Sequence, residues 1–206
     1  MIKLNEKTNV KTLDGIFASI NETVGKSSKI VFMGIGNFNR CDDAIGAHII
    51  SSVVESRLDA ENYSNSLKFA SADHSKQIMV ISAATTPENF VDDIIDFKPE
   101  TIFYIDCANF DDALAAPGEA RLFYEDSLAH SKAAISTHSM SINLLIEIFK
   151  HKIPAAQNIF VGIKPESIEY DYSPDYIKNI TPSVLACGEK IIEYFKTVIL
   201  RNMEAV

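Results

Sequence analysis

Residues 29–50 read KIVFMGIGNFNRCDDAIGAHII and carry the features that decide the fold. Residues 29–33 have β character, with a continuous apolar run after Lys29, which is typical of a β-strand. A turn with two glycines and an acidic pair follow, and the next apolar residues recur at helical spacing: Ile45, Ile49, Val53 and Val54. A strand, a turn and a helix in this order predict the repeating unit of an α/β fold.

The same alternation continues along the rest of the chain. Further strands are predicted at four places: 77–82, 101–105, Ala120–Tyr124 and 158–163. Amphipathic helices are predicted at 9–24, ahead of the first strand, and at 182–199, whereas residues 60–76 are predicted to be mostly loop or edge structure. The pattern as a whole predicts an α/β sandwich around a mainly parallel sheet.

The composition of the 206-residue chain argues against several classes of protein. The formal net charge is −9, and no stripe of Lys and Arg is present to displace counterions from nucleic-acid phosphates. Residues 1–25 contain no apolar run of signal-peptide length, and no window reaches the roughly 18 apolar residues of a membrane-spanning helix. Three widely spaced cysteines do not suggest a disulfide framework, so we expect a cytoplasmic protein without membrane insertion.

Two acids and one histidine stand at related places in the predicted sheet. Asp43 follows the first strand, Asp106 ends the strand predicted at 101–105, and His138 directly precedes a predicted helix. Ligands of parallel sheets bind beyond the carboxyl ends of the strands, where we expect the two acids to meet. Two carboxylates and one imidazole suit a first-row divalent ion, and three protein ligands leave positions open for water or substrate.

Each of these residues also has a purely structural explanation. Asp42 or Asp43 can cap the following helix, because Asp is a favoured N-cap residue. Asp106 can be an ordinary acid at a strand end, and His138 can be a solvated or capping residue. The other histidines show no comparable context and are predicted to lie at the surface: His48, His74, His130 and His151.

The glycines of residues 34–39, GIGNFN, do not predict a dinucleotide site. Asn39 stands where the dinucleotide-binding fingerprint has its third glycine. A turn from strand to loop that needs permissive backbone dihedrals explains the glycines more simply. We therefore do not expect a nicotinamide or flavin cofactor.

Five blocks lie in order along the chain: 34–37 (GIGN) with 42–46 (DDAIG), 85–89 (TTPEN), 104–106 (YID), 136–140 (STHSM) and 162–166 (GIKPE). Together they resemble the nickel–iron hydrogenase maturation endopeptidase family over about 29–199. The resemblance is to the branch that processes the large subunit of formate-hydrogenlyase-type hydrogenases. It implies a three-layer α/β/α sandwich, phosphorylase/hydrolase-like, with a mainly parallel twisted sheet of about five strands. Residues 29–206 would form this single domain, and 1–28 would be an N-terminal helical extension.

The resemblance also implies an activity and a site. The enzyme would remove the C-terminal extension of a nickel–iron hydrogenase large-subunit precursor after nickel insertion. Asp43, Asp106 and His138 match the family's metal ligands and are the implied catalytic residues. The metal would be nickel, supplied by or shared with the substrate, for which cadmium or zinc can substitute. The partner would be that precursor, the protein would be a monomer, and the implied substrate-binding residues are Gly36, Asn37, Thr85 and Thr86.

Departures from the family pattern concern the loops beside this site. Cys41 replaces the glycine that usually precedes the acidic pair. Ala83 and Ala84 stand where the family commonly has glycines, so the shape of the loop before Thr85 is open.

Three other functions remain open from the sequence. One is a cysteine peptidase that uses Cys107 or Cys41 with His138, although Cys107 should point away from Asp106 in a strand. Another is a nickel-sensing assembly chaperone or scaffold that does not cleave. The third is an interaction domain whose acids are helix caps. Within the endopeptidase hypothesis, the metal can activate water or one carboxylate can act as general base.

Overall fold

The structure is a computed structural model that describes residues 10, 12–57, 64–110, 115–125, 134–136, 139–201 and 203–206. Its strands are β1 (Lys29–Ile35), β2 (Ser66–Ser71), β3 (Gln77–Ala84), β4 (Thr101–Phe110), β5 (Ala120–Tyr124), β6 (Ala134–Ser136), β7 (Gln157–Ile163) and β8 (Met203–Ala205). The α-helices are α1 (Leu13–Lys26), α2 (Ile45–Glu55), α3 (Val91–Phe97), α4 (Ser139–Lys152) and α5 (Pro182–Tyr194). A π-helical turn, Phe195–Ile199, extends α5.

The strands form one sheet in the order β5-β7-β4-β1-β3-β2-β8, and β6 pairs with the far end of β4. The four central strands β7, β4, β1 and β3 are parallel, whereas β5, β2 and β6 run antiparallel to their neighbours. The carboxyl ends of the four parallel strands therefore lie at one edge of the sheet, as the sequence predicts. Within the described residues the path contains seven strands, so the expected five or so was too few.

Helices cover both faces of the sheet, which confirms the three-layer α/β/α architecture. Residues of α1, α2 and α5 share one buried cluster with alternate residues of the strands, among them Phe32 and Phe103. Residues of α3 and α4 pack in a second cluster against the opposite face, with Met33 and Tyr104. Alternation of side chains along each strand divides the apolar runs between these two layers.

Helix α1 packs firmly onto the sheet layer that contains α5. Ile16 and Ile20 of α1 are buried, and Phe17 stacks on Tyr194 of α5 with ring centroids 4.0 Å apart. The Tyr194 hydroxyl also donates to the Phe17 carbonyl oxygen at 3.1 Å. The division between a helical extension at 1–28 and a domain at 29–206 stays a prediction.

Three parts of the sheet differ from the sequence-based expectations. Residues 60–76 include a regular strand, β2, which lies between β3 and β8 and whose exposed Lys68 obscures the apolar pattern. Strand β8 is short and mostly exposed, so it had no apolar run to reveal it. Strand β4 continues past Asp106 to Phe110, because β7 and β6 supply further hydrogen-bonding partners. Asp106 therefore lies inside β4 and does not end it.

Close backbone contact joins the first strand to the helix after it. A Cβ atom on Gly34 of β1 would lie 2.3 Å from the carbonyl oxygen of Gly46, in the first turn of α2. A Cβ atom on Gly46 would in turn lie 2.2 Å from the carbonyl oxygen of Ile105 and 2.4 Å from that of Ile35. Helix α2 thus begins directly against the ends of β1 and β4, which only glycine permits. No helix within the described part of the chain has the length and apolar character to cross a membrane.

Candidate active site

The acidic pair lies in a short 3₁₀ helix, Cys41–Ala44, between β1 and α2. We call this segment the acidic turn. Asp42 and Asp43 are both fully buried there. Burial of two adjacent carboxylates is costly unless each has a compensating environment, so their surroundings decide their roles.

Asp42 faces the loop of residues 164–181, which connects β7 to α5 and which we call the tyrosine loop. One oxygen, Oδ2, accepts hydrogen bonds from the backbone N–H groups of Glu166 (2.8 Å) and Ser167 (2.9 Å). Thr181 donates its backbone N–H to Oδ1 at 2.6 Å and its hydroxyl to Oδ2 at 3.0 Å. Asp42 thus joins both ends of the tyrosine loop to the acidic turn. This role is structural, as in the helix-cap alternative, but the groups that Asp42 binds belong to a distant loop and not to the helix that follows it.

Asp43 is held at the edge of the sheet by its backbone. Its N–H donates to the Arg40 carbonyl oxygen at 2.9 Å, and its own carbonyl oxygen accepts from the Asn37 N–H at 3.2 Å. A Cβ atom on Gly36 would lie 2.3 Å from that same carbonyl oxygen. Glycine at 36 is therefore required by close approach of the chain to Asp43.

Asp106 lies where β4 extends beyond its pairing with β1. The last pair between these strands is Gly34 with Ile105, and Asp106 is the next residue of β4. Its Oδ1 accepts a hydrogen bond from the N–H of Cys107 at 2.7 Å. By alternation Asp106 shares the sheet face of Tyr104 and Ala108, which pack with α4 residues.

The pKa of the Cys107 thiol depends on the charges of both acids. Its side chain is 1% exposed and belongs to the opposite face, in the cluster with α2 and α5. Burial raises the pKa of the Cys107 thiol, and the charges of Asp106, Asp43 and Asp42, in decreasing order, raise it further. The carboxylates of the acidic turn and of β4 therefore act on the same small region at the carboxyl edge of the sheet.

His138 lies outside the described residues, so its position relative to the acids stays a prediction. The described residues before and after it show which elements flank this position in the chain. Ser136 of β6 pairs with Ala108, two residues after Asp106 on β4, and α4 begins at Ser139. Among the described residues, no three His, Cys, Asp or Glu side chains are arranged to hold a metal ion. The donor set of Asp43 and Asp106 is chemically suited to a divalent ion but needs a further protein ligand.

The loops that carry the predicted substrate-binding residues are joined to each other. The Gly36 N–H donates to the Ala84 carbonyl oxygen at 3.0 Å, at an irregularity in the pairing of β1 with β3. Thr85 and Thr86 follow and are exposed. The side-chain oxygen Oδ1 of Asn37 accepts from the Asn39 N–H at 3.0 Å and so shapes its own turn.

Two of the three residues that replace glycines of the family pattern, Cys41 and Ala84, occur at left-handed backbone positions, whereas Ala83 does not. Cys41 has φ 42° and Ala84 has φ 48°. Left-handed backbone costs a non-glycine residue roughly 1 kcal/mol or more, so a glycine at either place would be unstrained. Non-glycine residues therefore occupy two positions of these loops where the backbone favours glycine.

One histidine was predicted wrongly. His48 of α2 is buried, and its Nδ1 lies 3.1 Å from the hydroxyl of Tyr176 in the tyrosine loop. Burial lowers the pKa of His48, and the charge of Glu189 opposes that shift. The partner is 128 positions away in the sequence, so no local pattern could reveal the contact. His74 and His151 are exposed, as predicted, and His130 lies outside the described residues.

Comparison with known proteins gives evidence that is independent of this geometry. The family model described as HycI, hydrogenase maturation protease, matches residues 63–195, which is more than half of the chain. A curated "putative hydrogenase maturation protease" of Methanocaldococcus jannaschii is 29% identical over 164 residues, covering 80% of this chain and 84% of that protein.

Solved structures agree with this comparison at the level of the fold. The hydrogenase maturating endopeptidase HybD from E. coli superposes with a TM-score of 0.58 at 21% identity, over 86% of this chain and 96% of that one. The [NiFe] hydrogenase maturation protease HybD from Thermococcus kodakarensis gives 0.57 at 19% identity, over 80% and 95%.

Proposed function

Because the chain belongs to the hydrogenase maturation protease family and is a hydrogenase maturation endopeptidase, we propose that it removes the C-terminal extension of a nickel–iron hydrogenase large-subunit precursor after nickel insertion. We infer that the precursor is of the formate-hydrogenlyase type. The observation that carries the mechanism is the burial of two carboxylates, Asp43 and Asp106, at the carboxyl edge of adjacent parallel strands. Ligands of parallel sheets bind at this edge, and buried ionisable groups cluster at functional sites.

In this proposal Asp43, Asp106 and His138 bind the nickel ion of the precursor, which is part of the substrate. Two carboxylate oxygens and an imidazole nitrogen suit nickel, and also cadmium or zinc. A site with only three protein ligands needs the precursor to complete the coordination, so the nickel-free precursor lacks much of the binding energy. The pairing of Ser136 beside Ala108 and the start of α4 at Ser139 support His138 as the third ligand.

The environment of Cys107 favours this proposal over a cysteine peptidase. A nucleophilic cysteine must reach the thiolate form and contact the substrate. Burial and three carboxylates raise the Cys107 pKa, and the side chain faces away from that of Asp106. Cys107→Ala is therefore expected to cleave the precursor at a rate within about twofold of wild type, since no step depends on the thiol.

Cleavage of purified precursor, followed by mass spectrometry, tests the proposal directly. Wild-type protein should shorten the nickel-loaded precursor and leave the nickel-free precursor intact. His138→Ala should lose at least about 10²-fold in rate, the lower range for loss of a group that acts in the transition state. Its unfolding midpoint should match that of the wild type.

Two results would contradict the proposal. His138→Ala that processes the loaded precursor at the normal rate would exclude the ligand role. Wild-type protein that binds the loaded precursor without shortening it would support an assembly scaffold in its place.

We further infer that the protein acts in the cytoplasm. Cys107 and Cys187 are buried free thiols, and Cys41 is also free, which suits a reducing compartment. A monomer stays our prediction, which sedimentation velocity would measure.

A further inference from the structure

Two aromatic rings project from the tyrosine loop into solvent. Tyr170 is 62% exposed and Tyr172 is 75% exposed. Their rings stack with centroids 5.8 Å apart and an interplanar angle of 15°. Tyrosine is enriched at protein interfaces, because its ring buries a large area at a small cost in conformational entropy.

The position of these rings is fixed relative to the acidic turn. Asp42 binds both ends of the loop through the four hydrogen bonds described above. In the middle of the loop, the Arg40 Nε donates to the Ile168 carbonyl oxygen at 3.1 Å, and the Asp171 N–H donates to the Asn39 carbonyl oxygen at 2.8 Å. The Arg40 guanidinium also lies 4.9 Å from the centroid of the Tyr170 ring. The paired rings are thus attached to residues 39–42, immediately before Asp43.

The tyrosine loop itself is negatively charged, and the cation that lies against its rings, Arg40, comes from the acidic-turn side. Residues 164–181 contain four acidic and two basic side chains. Lys178 is already paired with Asp175 at 2.8 Å. Glu166 and Glu169 are exposed beside the tyrosines. Exposed aromatic faces next to carboxylates favour lysine and arginine side chains, through cation–π contacts and ion pairs.

We propose that the tyrosine loop is a docking surface for a lysine- or arginine-containing segment of the precursor polypeptide, with Tyr170, Tyr172 and Glu169 as its main contacts. This inference rests on the proposed function, since it names how the same substrate is recognised. Docking on the loop brings the bound polypeptide next to Asp43 through the rigid connection at Asp42. The loop therefore contributes affinity that does not depend on nickel, whereas the acids bind the nickel and contribute to the reaction.

Binding and cleavage measured separately test this docking surface. Fluorescence anisotropy with labelled nickel-free precursor reports the loop contact without cleavage, and kinetics with nickel-loaded precursor report KM and kcat. The double variant Tyr170→Ala/Tyr172→Ala should raise both Kd and KM at least about tenfold, with kcat within about twofold, because interface tyrosines are frequent binding hot spots.

Charge variants sharpen the result. Glu169→Lys should also raise Kd and reduce its salt dependence between about 50 and 300 mM, since surface charges are screened over this range. Glu204→Lys on β8 is the matched control with the same change in net charge, and Val198→Ala is the control for an exposed apolar side chain. Both controls should bind like the wild type.

Several outcomes would overturn the docking surface. Unchanged Kd and KM in the double tyrosine variant would do so, as would an equal loss in Glu204→Lys, which would indicate a general charge effect. A fall in kcat at constant KM would mean that the loop acts on the reaction step. A wild-type dimer that the tyrosine variant dissociates would mean that a second copy covers the rings.

Failure of the docking surface and failure of the proposed function are distinguishable. If the docking surface is wrong, wild-type protein still cleaves the loaded precursor and the loop variants do so equally well. If the proposed function is wrong, wild-type protein cleaves nothing, whatever the loop variants bind.

Discussion

On one side of the acidic turn, Asp42 faces the tyrosine loop and accepts four hydrogen bonds from three of its residues. On the other side, the Asp43 carboxylate acts, together with Asp106, on the region around Cys107. The two aspartates are adjacent in sequence and equally buried. The hydrogen bonds of Asp42 to the tyrosine loop compensate its burial and stabilise the fold, whereas the charges of Asp43 and Asp106 both act on Cys107 at the carboxyl edge of the sheet.

Like charges held together in a buried region reduce stability, and enzymes tolerate this at sites that bind a cation. Together with the proposed function, the comparison predicts that Asp42 matters for stability and Asp43 for cleavage. Substitutions at these aspartates can test the two roles separately, through the unfolding free energy and the rate of precursor cleavage.

The largest expected effect is on catalysis. Asp43→Asn and Asp106→Asn should each lower the rate of precursor cleavage by about 10³-fold or more, because a neutral amide is a weak metal ligand and no general base. The unfolding free energy should be unchanged or higher, since each substitution removes one of several like charges. Urea titration and mass-spectrometric cleavage assays measure the two quantities. A variant that keeps its activity would remove that acid from the site.

The next effect is on stability. Asp42→Ala should lower the unfolding free energy by about 3–5 kcal/mol, because it removes a fully buried carboxylate that accepts charge-assisted hydrogen bonds from three N–H groups and a hydroxyl. Urea unfolding with an unchanged m-value measures the loss. Thr181→Val is a partial control that removes only the hydroxyl bond and should cost about 1 kcal/mol. If Asp42→Ala is as stable as Asp43→Asn, the contrast between the two acids is wrong.

The smallest effect comes from the strained positions that flank the site. Cys41→Gly and Ala84→Gly should each raise the unfolding free energy by about 1 kcal/mol, which corresponds to a rise of roughly 2–4 °C in Tm. Lys98→Gly is the matched control, since Lys98 has φ 53° at the end of α3. Scanning calorimetry measures all three. If Lys98→Gly alone raises the unfolding free energy, the left-handed backbone at Cys41 and Ala84 does not destabilise the protein.

The sequence predicted the central part of the fold because that part is buried. Strands β1, β3 and β7 contain continuous apolar runs, and Ala120–Tyr124 was predicted with the observed bounds. Strands β2 and β8 escaped prediction because they lie near one edge of the sheet and contain exposed residues, so neither has a continuous apolar run. The position of Asp106 at the carboxyl edge followed from the parallel order of β1 and β4.

The roles of Asp42 and His48 could not be predicted in the same way. Their partners lie 124 to 139 positions away in the sequence, in the loop between β7 and α5. Local patterns describe periodicity and turns, and they contain no information about which distant loop packs on a given side chain. The local pattern of two adjacent acids did not distinguish Asp42 from Asp43, and only the family resemblance singled out Asp43.

Strand β8 has a consequence for the behaviour of the protein at high concentration. By pairing with Phe69, Ala70 and Ser71, it covers backbone donors and acceptors at the outer side of β2. Open strand edges recruit strands from other chains and so initiate aggregation. Strand β8 therefore protects the side of the sheet opposite β5, away from the proposed site, and its removal would reduce solubility before it affected cleavage.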